Sequence, residues 1–133
     1  MKRIYSCPHC KAMLNPSVKI VMRVRLKGRK GLFLFSPKPG NYDVFTPPGF
    51  SMKKGDEVEF SCPVCGENFT SSKGKAWAEI RFQASPTSMG TVVFSRVFGH
   101  HATYFITEED VRYYGEDAKE ALNFWGVGPT RGE

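Results

Sequence analysis

The chain has 133 residues, 41% of them hydrophobic and 14% aromatic, with a net charge of +6. That length suits one domain able to bury roughly two-thirds of its unfolded surface, and the aromatic content excludes a disordered chain. No apolar stretch approaches the roughly 20 residues needed to span a bilayer.

The charge is unevenly spread. Residues 1–60 carry twelve Lys/Arg against four Asp/Glu, a net of +8, and residues 61–133 carry seven against nine, a net of −2. A basic half beside a mildly acidic one predicts a face that attracts an anionic partner. The first residues, Met1-Lys2-Arg3-Ile4-Tyr5-Ser6, are basic but precede no apolar run, which is not the pattern of a secretory signal. The expected location is therefore cytoplasmic, a reducing compartment where paired cysteines favour metal over disulfide.

All four cysteines lie in two copies of one pattern, Cys7-Pro8-His9-Cys10 and Cys62-Pro63-Val64-Cys65. Between them, Ile20, Met22, Val24 and Leu26 alternate with Val21, Arg23, Arg25 and Lys27, the period of a half-buried strand over residues 18–27 with a basic outer side. Residues 28–31 read as a glycine-containing loop, and Leu32-Phe33-Leu34-Phe35 as a second strand apolar on both faces, paired with the first as a hairpin. Pro37, Pro39, Pro47 and Pro48 leave room only for a short edge strand at 42–45. Residues 53–56 form a turn, and Val58, Phe60 and Cys62 alternate into the second cysteine motif, with residues 69–72 as the outgoing strand. Further strands are expected at 76–82, 91–98, 102–106 and 111–114, with residues 84–90 as a loop. Residues 116–125 predict one short C-terminal α-helix, because Glu116 and Asp117 sit at its start, Ala118, Ala121, Leu122 and Trp125 share a side, and Gly126 follows. No internal repeat is legible beyond the cysteine motifs. The expectation is a mainly β protein: one antiparallel sheet with a four-cysteine zinc ribbon, a single zinc-stabilised domain over residues 1–127 and a flexible tail at 128–133.

Four thiolates in two Cys-Pro-x-Cys turns are the complement of a closed tetrahedral site, so Cys7, Cys10, Cys62 and Cys65 are the predicted metal ligands. In such a turn proline fixes the backbone, and amides directed at the sulfurs spread the thiolate charge. On these residues, and on Gly66 after the second turn, the chain resembles a zinc ribbon. The resemblance covers about a quarter of the chain and departs in spacing, since 51 residues separate Cys10 from Cys62 where roughly 15–20 is common. It implies a structural Zn2+ and, as such ribbons are frequent in transcription and translation proteins, a nucleic-acid partner.

Iron in a rubredoxin-type site is the lesser alternative, disfavoured by Lys11 in place of glycine and by the long spacer. Cys-Pro-His-Cys also occurs in thioredoxin-fold oxidoreductases, but six residues before Cys7 and a proline at 16 leave no place for the strand and helix that fold requires. No phosphate-binding loop, nucleophile elbow or His-Glu-x-x-His pattern is present, so neither an enzyme nor a small-molecule substrate is expected. His100 and His101 are adjacent and read as ordinary turn or strand histidines.

Lys19, Arg23, Arg25, Lys27, Arg29 and Lys30 are the candidate stripe for an anionic partner, either nucleic acid, with Phe33, Tyr42 or Phe45 stacking on bases, or an acidic protein surface. The expected function is thus a non-enzymatic zinc protein binding nucleic acid. The alternatives are a protein-interaction adaptor or regulatory module and, behind both, a zinc or redox sensor.

Overall fold

The computed structural model describes residues 3–121. Nine antiparallel strands form two sheets rather than the single sheet expected. They are β1 (Ile4–Ser6), β2 (Ile20–Leu26), β3 (Arg29–Phe35), β4 (Val44–Phe45), β5 (Glu59–Ser61), β6 (Trp77–Ser85), β7 (Ser88–Ser95), β8 (Thr103–Ile106) and β9 (Val111–Tyr114). One sheet has the order β4-β3-β2-β5 and the other β9-β8-β7-β6-β1. No described helix is long and apolar enough to cross a membrane.

The alternating patterns place the core where the sequence puts it. Ile20, Met22, Val24 and Leu26 from β2 and Ala78, Ile80 and Phe82 from β6 turn inward. With Phe33, Phe60, Val92 and Phe105 they make one buried cluster between the sheets. Aromatic edges cross the gap, as between Phe60 and Phe94 at 5.1 Å.

Two connections are tighter than expected. The loop assigned to residues 28–31 is a two-residue turn, Lys27-Gly28, closed by the pair Leu26↔Arg29. Both turn residues have positive φ (51° and 81°), the handedness that matches strand twist in such hairpins. Arg29 and Lys30 are therefore strand residues. Likewise residues 84–90 are not a loop, because β6 and β7 continue to the pair Ser85↔Ser88, with a register shift between Gln83 and Ser85. The outgoing strand at 69–72 reduces to isolated bridges, Ser61↔Asn68 and Thr70↔Ala78. Of the expected helix at 116–125, the described residues form only a 3-10 turn at Ala118–Ala121, and residues 122–125 lie outside them, as does the tail at 128–133.

The fold contains a duplication that the sequence does not announce. Superposing Cys7 on Cys62 pairs Tyr5 with Phe60 and Leu14 with Phe69, all buried. The backbone bonds repeat at the same offset: the Leu14 amide donates to the Tyr5 carbonyl and the Phe69 amide to the Phe60 carbonyl. Tyr5 lies opposite Phe82 on β6, and Phe60 lies opposite Val24 on β2. Hence β4-β3-β2-β5 repeats as β8-β7-β6-β1, with β9 as the extra strand. Each half contributes its first strand to the sheet of the other half. The cysteine turns stand where each chain segment crosses over.

Candidate metal centre and partner face

Each cysteine motif is the tip of a short hairpin, closed by the bridges Ser6↔Met13 and Ser61↔Asn68. The Cys7 amide donates to the Ala12 carbonyl and the Cys62 amide to the Glu67 carbonyl, both at 3.0 Å. Inside each turn two amides aim at the first sulfur. Those of His9 and Cys10 reach Cys7 Sγ at 3.3 and 3.4 Å, and those of Val64 and Cys65 reach Cys62 Sγ at 3.3 and 3.4 Å. After each second cysteine the chain takes positive φ, 81° at Gly66 and 67° at Lys11. Lysine thus occupies the conformation that glycine supplies in the other turn, and the missing glycine does not distinguish the two turns.

The four sulfurs lie within 4.8 Å of one another, with Cys7 3.7 Å from Cys65 and Cys10 3.7 Å from Cys62. A disulfide requires about 2.05 Å, and all four cysteines are free. Metal–sulfur bonds of about 2.3 Å give a tetrahedron with edges of about 3.8 Å. The donor set therefore fits one tetrahedral metal ion. Cys7 and Cys62 are buried, whereas Cys10 and Cys65 reach the surface.

Crowding spreads the thiol acidities. Burial is the largest influence on Cys62 and opposes ionisation, but the Cys65 and Val64 amides and the neighbouring thiols outweigh it and bring the pKa down to about 7. At Cys7 burial prevails over its two amides and leaves the thiol above its ordinary value. The Glu67 amide pulls Cys65 down, yet desolvation and the three other thiols push it up to about 12. Four thiolates this close need a cation among them.

The candidate basic stripe divides. Lys19, Arg23, Arg25 and Lys30 share the outer side of the four-stranded sheet, with Arg25 opposite Lys30 on one neighbour and Glu59 on the other. Lys27 turns instead to Asp56 (3.5 Å), and Arg29 donates to the Gly49 carbonyl (3.0 Å). Of the aromatics expected to stack on bases, Phe33 is core, and Tyr42 lies flat against His101 at 4.3 Å with its hydroxyl donating to the Tyr114 carbonyl. Only Phe45 is open, 63% exposed, with the Lys19 ammonium 5.4 Å over its ring.

Leu32 and Leu34 complete this outer face, 53% and 36% exposed. Sequence reading missed them as surface residues, although a strand apolar on both faces was the signal. His100 Nδ1 lies 2.9 Å from Ser95 Oγ, and His101 Nδ1 lies 3.1 Å from Glu116 Oε1. His9 is exposed at its knuckle.

Compared with known proteins, the chain matches no family model, no curated protein and no solved structure.

Proposed function

We propose that this protein is a non-enzymatic zinc-binding adaptor: a structural Zn2+ on Cys7, Cys10, Cys62 and Cys65 fixes the strand exchange, and the outer face of the four-stranded sheet receives an acidic partner protein. Zinc suits four thiolates in a closed tetrahedral set with amide donors behind them.

One observation carries the partner reading. Val93 and Tyr104 on the five-stranded sheet are buried beneath the 3-10 turn at Ala118, while their equivalents Leu34 and Phe45 stand open. The chain that follows β8, through the edge strand β9 to the 3-10 turn over Tyr104, combines Glu108, Glu109, Asp110, Glu116 and Asp117 with Val111, Tyr113 and Ala118. An acidic segment with spaced apolar residues, supplied by a partner, would match Leu32, Leu34 and Phe45 inside the ring of Lys19, Arg23, Arg25 and Lys30. The same face supports nucleic acid less well, because its centre is aliphatic and its single open aromatic is capped by a lysine.

A photo-crosslinking residue in place of Leu34, used in intact cells, tests this reading. The expected product is one defined protein, joined through a segment rich in Asp/Glu and apolar residues and lost in L32S. Crosslinking to nucleic acid, abolished by R23Q/R25Q but indifferent to L32S, would assign the face to nucleic acid instead.

A further inference from the structure

The two sheets do not close completely on each other. Between them is a cavity of about 420 Å³, within the range of sites that take small organic ligands and well above the engineered apolar cavities of about 150 Å³ that bind benzene. Its wall contains both members of three equivalent pairs from the duplicated halves: Tyr5 and Phe60, Met22 and Ile80, Phe35 and Phe94. Like the metal centre, it is built where the halves face each other. The mouth lies between the β3–β4 and β7–β8 connections, which are themselves equivalent.

The deeper polar groups in the wall already have protein partners, while Lys38 and Asp43 stand exposed at its rim. The Tyr5 hydroxyl donates to the Pro37 carbonyl at 2.7 Å, and the Tyr42 hydroxyl is shared with Thr103 Oγ1 at 2.8 Å. Arg96, buried at the cavity's edge, donates from Nε to the Val58 carbonyl at 2.8 Å and from Nη1 to the Lys75 carbonyl. A charged or strongly polar ligand would lose its water and gain little in exchange. Phenyl edges and faces do line the space, as in the edge-to-face pairs Phe35–Phe60 and Phe60–Phe94. They favour a flat aromatic guest.

We propose that this inter-sheet cavity is a binding site for one uncharged, aromatic small molecule, which completes the core on the side away from solvent. The site is separate from the outer face: Phe35 and Phe94 point into the cavity, whereas Leu34 and Val93 point away from it. Val44 in β4 contributes to the wall and is only half buried, so enlarging it occupies the space with little disturbance of the deep core.

The test uses the zinc-loaded full chain and the uncharged probe N-phenyl-1-naphthylamine. Its fluorescence should rise saturably with one equivalent bound, and V44W should weaken binding about tenfold or more. F45S, on the outer face, should leave binding unchanged. In methyl NMR of the unaltered protein, the probe should shift Met22 and Ile80 and leave Leu34 in place, a result that does not depend on V44W folding. Absence of saturable binding, loss of binding in F45S, or shifts confined to Leu34 would overturn the site. So would undiminished binding by a folded V44W.

Discussion

The two halves of this chain build the same sheet twice and finish it differently. On the five-stranded side, Trp77 packs edge-on against Tyr104 at 5.6 Å, the Tyr104 hydroxyl donates to the Ala118 carbonyl, and Asp117 is tied to His101 by two backbone-directed bonds. On the four-stranded side the equivalent of Trp77 is Lys19, the equivalent of Tyr104 is Phe45, and none of the described residues stands where Ala118 does. A strand register that matches except for the shift at Gln83–Ser85 has thus been given a closed outer face in one half and an open, basic one in the other. The backbone of a duplicated unit is set by its inner, alternating residues. Its outer residues remain free to become either core or contact surface.

The largest test of this comparison concerns what the halves share. Because Cys7 and Cys62 hold equivalent, buried positions with matching amide donors, C7S and C62S should be equally damaging. Each should abolish most of an apparent folding energy on the order of 10 kcal/mol, and a strong chelator should do the same to the unaltered protein. Circular dichroism together with metal content reads this out. A fold that persists without metal would mean that the exchanged strands hold unaided.

The next test concerns what the halves do not share. Y104A should cost about 3–5 kcal/mol in denaturant unfolding, as for a large aromatic removed from a packed site. F45A, at the equivalent position, should change stability by no more than about 0.5 kcal/mol, because Phe45 is open to solvent. Equal losses in the two variants would show that the four-stranded face is covered in solution, for instance by a second copy.

Much of this is legible in the sequence. The Cys-Pro-x-Cys repeat picks out the four cysteines that the fold gathers; period-two alternation locates β2 and β5, and β-branched and aromatic content locates β8 and β9, to within a residue or two. What cannot be read is which sheet each strand joins. Beyond Ser-Cys-Pro-x-Cys the halves share scattered identities, such as Arg23 with Arg81 and Phe35 with Phe94, and otherwise apolar character, as in Tyr5 with Phe60 and Leu14 with Phe69, and such positions resemble those of any sandwich. Strand exchange is a long-range choice, fixed by Tyr5 meeting Phe82 rather than its own hairpin's neighbours. The basic stripe misleads for a local reason. Residues 28–31 read as a loop where Lys27-Gly28 makes a two-residue turn, so Arg29 falls on the inner side of β3 and Lys27 is drawn to Asp56.

A smaller effect separates the two metal turns themselves. Lys11 holds a left-handed conformation that costs a side-chain-bearing residue about 1–2 kcal/mol, and Gly66 holds it freely. K11G should therefore stabilise by about 0.5 kcal/mol, the relief of strain exceeding the flexibility glycine adds to the unfolded chain. G66A should destabilise by a similar or slightly larger amount, and thermal unfolding of the metal-loaded protein measures both. Opposite signs would show that the turns are conformationally one motif. Equal signs would mean that lysine makes a compensating contact.

The smallest effect lies at the hairpin tip of the first half, which has an ionic tether. Asp56 accepts from the Lys53 amide at 2.8 Å and faces the Lys27 ammonium, while at the other tip the Ser85 and Thr87 hydroxyls are bonded to each other. The Lys53 amide is the main cause that holds the Asp56 carboxyl below its ordinary value; desolvation opposes it, and the Lys27 ammonium adds to the lowering. A carboxyl depressed by folding stabilises the fold above its unfolded pKa and ceases to do so as pH falls through the folded one. The contribution should therefore be constant at neutral pH and fade below about pH 4. Because the pair lies at the surface, with Lys27 exposed and Asp56 partly so, the change is slight and salt weakens the Lys27 part of it. D56N should flatten that acidic segment of the stability profile while leaving the metal content at neutral pH unaltered. If D56N also lowers metal content, the tip is coupled to the cysteine turns through β2 and β5, and the halves are less independent than their repeated pairing implies.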